Sequence, residues 1–194
     1  MNLGVLFDKD ECLEYQNILI RPARDSDYKA LYSIYGDKRT YLFRPGLLRE
    51  NERAVKKLVS RMRREESDRK QWFRIVCRGD NPDAIVGVVE IYNINQRIEE
   101  VEIGYTISPD LYGKGIATEV VNLVTRFLFD EVKCNRIKAM VHINNTASQK
   151  VLQKNGYTKE GVERQGEFWQ GIGFVDVCRF AKLREDYIGG KDNG

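Results

Sequence analysis

Histidine occurs once in these 194 residues, as His142, and the four cysteines at 12, 77, 134 and 178 share no CxxC spacing and lie in separate segments. That is poor material for a His-rich metal site, a zinc knuckle, a disulfide framework or a nucleophile–histidine relay. No window approaches the roughly 20 uncharged apolar residues that a bilayer crossing needs. Met1-Asn2-Leu3-Gly4 leads into acidic residues instead of a basic, apolar leader. The expectation is a cytoplasmic protein with reduced thiols, no resident metal and no membrane contact. There is also no internal repeat and no low-complexity tract, and the 42% apolar, 31% charged composition is that of an ordinary globular chain. One domain is expected over 1–194, with a core at about 16–185, an N-terminal extension at 1–14 and a fraying tail at 188–194. Any chemistry has to rest on carboxylates, hydroxyls, backbone groups or a cofactor.

What charge there is lies unevenly. The net charge is +3, yet between Arg44 and Arg74 eleven basic residues face five acidic ones, so that stretch is +6 and the remainder −3. Within it Val55, Leu58, Val59 and Met62 recur at i, i+3, i+4, i+7, which predicts an amphipathic helix over about 49–66 with its charges in water. A solvated face, a nucleic-acid patch and a contact for an anionic ligand are all compatible with that helix.

Along the rest of the chain, Asn17 to Pro22 reads as a strand stopped by proline. Asp25-Ser26-Asp27 offers caps to a helix carrying Tyr28, Leu31, Tyr32 and Tyr35. Trp72 to Cys77 and Ala84 to Tyr92 form a hairpin across the turn-rich Gly79 to Asp83, and Glu100 to Ile107 continues the meander. The pattern then becomes helix (Thr118 to Leu128), strand (Ile137 to Ile143) and helix (Asn145 to Lys154), with a crossover connection implied. Gly156 is placed for a left-handed helix end. Two strands follow, Tyr157 to Val162 and Phe174 to Ala181, separated by a loop at Glu163 to Gly173.

Pro109-Asp110-Leu111-Tyr112-Gly113-Lys114-Gly115-Ile116-Ala117-Thr118-Glu119 joins a strand to a helix. Glycines let backbone approach a ligand closely, and the free N–H groups and positive dipole end of the helix favour an anion such as phosphate. A P-loop would need Gly at 108 and Ser or Thr at 115, where the chain has Ser108 and Gly115. The dinucleotide fingerprint would need a small residue where Thr118 stands, and βαβ units where a meander precedes. From this turn alone, ligand binding and a purely structural role both stay open.

A second segment some thirty residues on favours the ligand: Asn145-Thr146-Ala147-Ser148, closed by Lys154-Asn155-Gly156-Tyr157. Together the two blocks resemble the GNAT family of acetyl-CoA-dependent N-acetyltransferases, over about residues 16–185. Glu102-Ile103-Gly104-Tyr105 adds a resemblance to the subgroup that acetylates N-termini of ribosomal proteins. The resemblance implies an α/β (α+β) fold with one mixed, mostly antiparallel twisted sheet flanked by helices. It also implies a bulged strand Glu100 to Ile107, splayed from its parallel neighbour so that backbone at Tyr105 and Ile107 pairs with the pantetheine arm. Gly113, Lys114, Gly115, Ile116, Ala117 and Thr118 would hold the pyrophosphate through their N–H groups, and Asn145 would bond the arm near the thioester. The family often has Gln or Arg where this chain has Asp110, so that carboxylate is expected to point away.

Acetyl transfer needs a base for the amine and a proton for the departing thiolate. Glu167, Glu102 and Glu90 are the carboxylate candidates. The resemblance matches Glu167 to the base of the ribosomal-protein subgroup and Glu102 to a strand carboxylate used by other members. The tyrosine that many members use as acid would stand at 152, which is Leu152 here, so Ser148 is the candidate at the sulfur. His142 is expected to be a packed strand residue, and Trp169, Tyr112 and Phe168 are read mostly as packing aromatics, with a place for Phe168-Trp169 in an acceptor wall as the alternative. The implied partners are acetyl-CoA and a primary amine. That amine is a protein N-terminus on the leading reading and a polyamine, amino acid or antibiotic on the second. A CoA-binding module without turnover and a basic surface docking on RNA stand outside the enzyme class. A monomer and a homodimer are equally open.

Overall fold

The computed structural model describes residues 1–8, 12–43, 45–79 and 81–189. The tail at 190–194, Arg44 of the basic stretch and Asp80 of the expected turn lie outside the described residues. In chain order the elements are α1 (Leu3–Phe7), β1 (Leu13–Tyr15), β2 (Ile18–Pro22), α2 (Tyr28–Tyr35), α3 (Glu52–Ser67), β3 (Trp72–Arg78), β4 (Ile85–Asn95) and β5 (Glu100–Ile107). They continue with α4 (Ile116–Asp130), β6 (Arg136–His142), α5 (Thr146–Lys154), β7 (Thr158–Trp169), β8 (Gly173–Leu183) and α6 (Arg184–Gly189).

Eight strands form one sheet in the order β1-β2-β3-β4-β5-β6-β8-β7. All neighbours are antiparallel except β5 and β6, the pair that α4 connects. Each face has its own apolar cover, as alternation along the strands requires. On one face Val101, Ile103, Ile137, Ala139 and Val141 pack against Val120, Val121, Val124 and Leu128 of α4. On the other, Phe73, Ile75 and Val88 pack under Leu31 and Ile34 of α2 and under Val55, Leu58, Val59 and Met62 of α3. The period-3.6 stripe of α3 is therefore its buried face, and its charged side faces outward. Asn51 caps that helix by accepting from the Ala54 N–H at 3.0 Å. Where α2 begins, Asp27 is not a simple cap. It is buried and takes both guanidinium nitrogens of buried Arg21, at 2.9 and 2.8 Å, and the Arg24 N–H at 2.7 Å.

The N-terminal extension lies against the core, with Leu6 of α1 fully buried, and it adds a strand, β1, which pairs with β2 across a turn in which Gln16 has φ +51°. One expectation fails: the predicted loop Glu163 to Gly173 is mostly strand. β7 runs on to Trp169 and turns tightly into β8, with register shifts between Lys159 and Gly161 and between Glu163 and Glu167. The shifts carry extra residues on β7, which hide strand periodicity from a reading of the sequence. Gly156 takes the left-handed conformation, φ +73°, as expected.

Candidate functional site

The parallel pair is joined only at its start, where Glu100, Val101 and Glu102 oppose Arg136, Ile137 and Lys138. Beyond Glu102, β5 pairs with β4 alone and β6 with β8 alone. The two strands therefore part, and the β5 backbone from Gly104 to Ile107 presents unpaired hydrogen-bonding groups to the gap. The bulge expected on β5 falls instead on its neighbour. Tyr92 opposes Glu102 while Asn95 opposes Glu100, so the extra residue is in β4, where Asn93 has φ +49°.

α4 and α5 both begin beside this gap. Gly113 and Gly115 have φ +75° and +83°, and a Cβ on either would meet no close neighbour, so the left-handed backbone and not crowding requires glycine. Gly115 is the N-cap of α4. Within the loop the Lys114 N–H is directed to the Leu111 carbonyl at 3.4 Å and the Thr118 N–H to the Gly115 carbonyl at 2.9 Å. The N–H groups of Gly113, Gly115, Ile116 and Ala117 have no acceptor among the described residues, which fits an anion at the positive end of a 15-residue helix. The Asp110 carboxylate accepts from Arg39 at 2.8 Å. At the start of α5, Asn145 Oδ1 accepts from the Ser148 N–H at 3.1 Å, which orients the side chain and leaves its amide nitrogen for a ligand. Ser148 Oγ lies 2.8 Å from the hydroxyl of Tyr105, which reaches across from β5. Burial pushes the Tyr105 phenol up to about 12, with the Ser148 hydrogen bond acting in the opposite direction, so it stays a hydroxyl at any ordinary pH. Leu152, where a tyrosine was sought, is wholly buried in the core.

On the other side of the sheet, the face shared with α2 and α3, the gap opens into a cavity of about 910 Å³. Alternation brings Glu90 and Tyr92 of β4, Glu102 of β5, Lys138 and His142 of β6 and Arg179 of β8 to this face. Glu102 is only 3% exposed. It accepts from Asn93 Nδ2 at 3.0 Å and from the Tyr92 hydroxyl at 3.4 Å, and Arg179 lies 3.9 Å away. Arg179 also donates to Glu163 at 2.6 Å and stands 3.9 Å from Glu167. Its hydrogen bond holds the Glu163 carboxyl below the usual carboxylate range. The Glu167 side chain is 35% exposed, with Arg179 as its partner.

The structure thus brings Glu90, Glu102, Glu167, Tyr105, Asn145 and Ser148 to one cavity, and sets Gly113 to Thr118 at the head of α4. Glu167 sits on a strand, not in a loop. Of the aromatic pair, Trp169 lines the cavity while Phe168, 65% exposed, turns to the opposite face and meets Phe174 edge-on. Phe168 is therefore removed from the acceptor wall, because neighbours on a strand point to opposite faces. His142 belongs to the wall as well. Its ring stacks between Phe43 and Trp169, each 5.3 Å away, and its Nδ1 accepts from the Asn144 N–H at 3.1 Å. Arg179 and Phe43 were not legible as site residues: an arginine in the last strand and a phenylalanine in an unpatterned segment carry no local signal.

Comparison with known proteins agrees with this geometry. The family model described as the acetyltransferase (GNAT) domain matches residues 17–158. A probable N-acetyltransferase of Bacillus subtilis (strain 168), YjcK, is 30% identical over 166 residues, covering 82% of this chain and 91% of that one. Spermidine N(1)-acetyltransferase of Escherichia coli (strain K12) is 26% identical over 124 residues, 64% of this chain and 63% of that one. Among solved structures, the ribosomal L7/L12 alpha-N-protein acetyltransferase RimL, in complex with coenzyme A, superposes with a TM-score of 0.78 at 19% identity, over 89% of this chain and 98% of that one. Among the described residues no helix is long and apolar enough to cross a membrane. The splayed parallel strands, the glycine-built head of α4 and these matches lead to one conclusion: the chain belongs to the GNAT family and is an N-acetyltransferase.

Proposed function

We propose that this enzyme takes its acetyl group from acetyl-CoA and places it on the N-terminal amine of a protein or peptide. The observation that carries the reading is that one gap in the sheet joins an anion-binding helix head on one face to a carboxylate-lined cavity on the other. The N–H groups of Gly113, Gly115, Ile116 and Ala117 hold the pyrophosphate, while Lys114 and Thr118 spend theirs on keeping the loop in shape. The β5 edge at Tyr105 to Ile107 and the Asn145 amide bind the pantetheine arm, whose thioester supplies the activated acetyl group. Glu167, half-buried in the cavity with Arg179 as its ion-pair partner among the described residues, removes the proton from the incoming amine. Glu102 is held from three sides and forms the fixed floor beside it. The Ser148 hydroxyl, oriented by Tyr105 and by its place in the first turn of α5, faces the sulfur and protonates it as it leaves.

A polyamine acceptor is the second reading, favoured by one observation: three carboxylates, Glu102, Glu163 and Glu167, surround the single guanidinium of Arg179. Lys138 and Arg136, both on the cavity wall and both paired with Glu100, weigh against it, because a polycation needs a run of carboxylates free of cations. Mass spectrometry of acetyl transfer to a peptide with a free N-terminus, to the same peptide blocked there, and to spermidine tests the choice. Modification of the free peptide alone is expected. Modification of spermidine alone would replace the first reading by the second.

A further inference from the structure

The cavity has two chemically different ends. Around Arg179, on β8 and β7, carboxylates prevail. At the other end, under α2 and α3, the lining is rich in donors: the Tyr35 and Thr40 hydroxyls, Arg49, Arg61 and Gln71, with Glu90 as the one carboxylate. Glu90 is already tied, accepting from Gln71 Nε2 at 2.9 Å. Tyr35 is only 5% exposed, and its hydroxyl and that of Thr40 are buried without a hydrogen-bond partner among the described residues. A buried hydroxyl left unpaired has lost its water without a replacement, so a hydroxyl in this state on a cavity wall points to a ligand group that pairs with it. Burial, and then the charge of Glu90, keep the Tyr35 phenol protonated, while Arg49 and Arg61 are near enough to act on it in the opposite sense. Neither arginine is fully engaged. Arg49 makes a 3.4 Å bond to the Leu48 carbonyl, and Arg61 a 3.7 Å contact to Glu65 on its own helix. Two hydroxyl donors and two guanidinium groups around an occupied carboxylate suit an oxyanion, above all a carboxylate that takes an arginine fork.

We infer that the acceptor carries an anionic group, held by Tyr35, Thr40, Arg49 and Arg61, at a short distance along the molecule from the amine that reacts. The inference rests on the reading of this cavity as the acceptor site and narrows it to one class of acceptor. Strand spacing sets the scale. The reacting amine belongs at the gap between β5 and β6, and the donor-rich end lies beyond β4, one to two strand spacings away, roughly 5–10 Å. Two or three residues of extended peptide span that length. An acidic side chain at the second or third residue of a protein fits, and so does the carboxylate of a small amino acid or dipeptide. The opposite charges at the two ends orient such an acceptor, amine toward Glu167 and anion toward Arg49, and disfavour a polycation at the α3 end.

The test compares acetyl-acceptor specificity, as kcat/KM at fixed acetyl-CoA, for three hexapeptides with free N-termini that differ only in carrying Glu, Gln or Lys at positions two and three, together with free glutamate and spermidine. A preference of at least tenfold for the Glu peptide over the Gln and Lys peptides is expected, falling to about twofold in Arg49→Gln/Arg61→Gln. If free glutamate outruns every peptide and loses its advantage in the same variant, the anion subsite stands and its source is a small amino acid. Tyr35→Phe, which removes an oxygen that has no hydrogen-bond partner among the described residues, is expected to shrink the preference several-fold with acetyl-CoA affinity unchanged. It provides a second readout should the double variant misfold. Equal rates for the three peptides, or a lead for the Lys peptide or spermidine, would overturn the subsite while leaving acetyl transfer in place. Absence of transfer to every amine would overturn the proposed function itself and the subsite with it.

Discussion

At the head of α4 the groups proposed to bind are backbone N–H groups; at the β7–β8 hairpin the groups that line the cavity are the side chains of Glu163, Glu167, Trp169 and Arg179. The first set is fixed by two glycines with left-handed φ and by the axis of one helix, all within a dozen residues of chain. The second depends on register across β5, β6, β8 and β7, strands that are distant in sequence. A backbone-built site tolerates change at most side chains but not in its turn. A side-chain-built site is sensitive at each carboxylate and indifferent to residues one position away, which face the other side of the sheet.

The largest effects should come from the groups proposed to act on the reacting atoms. Glu167→Gln and Ser148→Ala are each expected to lower kcat about a hundredfold, the usual scale for one acid or base group, with acetyl-CoA affinity retained in calorimetry. Wild-type turnover in both would break the side-chain half of the comparison. Next, Gly115→Val forces a β-branched residue to φ +83° and disturbs the free donors. It should weaken acetyl-CoA binding about 30-fold, and unchanged binding would break the backbone half. Tyr105→Phe should cost about tenfold in kcat alone and almost nothing when added to Ser148→Ala if its hydroxyl, 2.8 Å from Ser148 Oγ, acts through that serine as proposed. The phenol, at about 12, does not titrate between pH 6 and 10, so the variant's pH–rate profile over that range should keep the wild-type shape at lower amplitude. A changed shape would give Tyr105 a proton-transfer role of its own. The smallest effect is the sharpest contrast: Phe168→Ser should leave kcat/KM within about twofold, whereas its neighbour Trp169 lines the cavity.

Those contrasts also mark what the residues disclose before folding. The buried stripe Val55, Leu58, Val59 and Met62 is visible because helical period is a local property, and the αL positions at Gly113, Gly115 and Gly156 are visible because few other residues take them. The face of Glu167 is not visible in this way. One extra residue between Lys159 and Gly161 reverses which alternate positions of β7 face the cavity, since Lys159 opposes Phe180 of the core while Gly161 opposes Arg179 of the site. A further shift between Glu163 and Glu167 made this stretch look like a loop. Arg179 gains its meaning only when β8 inserts between β6 and β7 and carries it beneath three carboxylates. The bulge beside Glu102 shows the same dependence: the Gly-Tyr strand was expected to carry it, but its neighbour does.

The proposed reaction has one gap in the sheet join a bound acetyl thioester to an amine in the opposite cavity. It is tested most directly by incubating the protein with acetyl-CoA and a peptide carrying both a free N-terminus and an internal lysine, then locating the added mass by fragmentation. A single 42 Da addition at the N-terminal amine, abolished in Glu167→Gln although acetyl-CoA still binds, is the predicted result. Addition at the lysine alone, or undiminished transfer by Glu167→Gln, would contradict it.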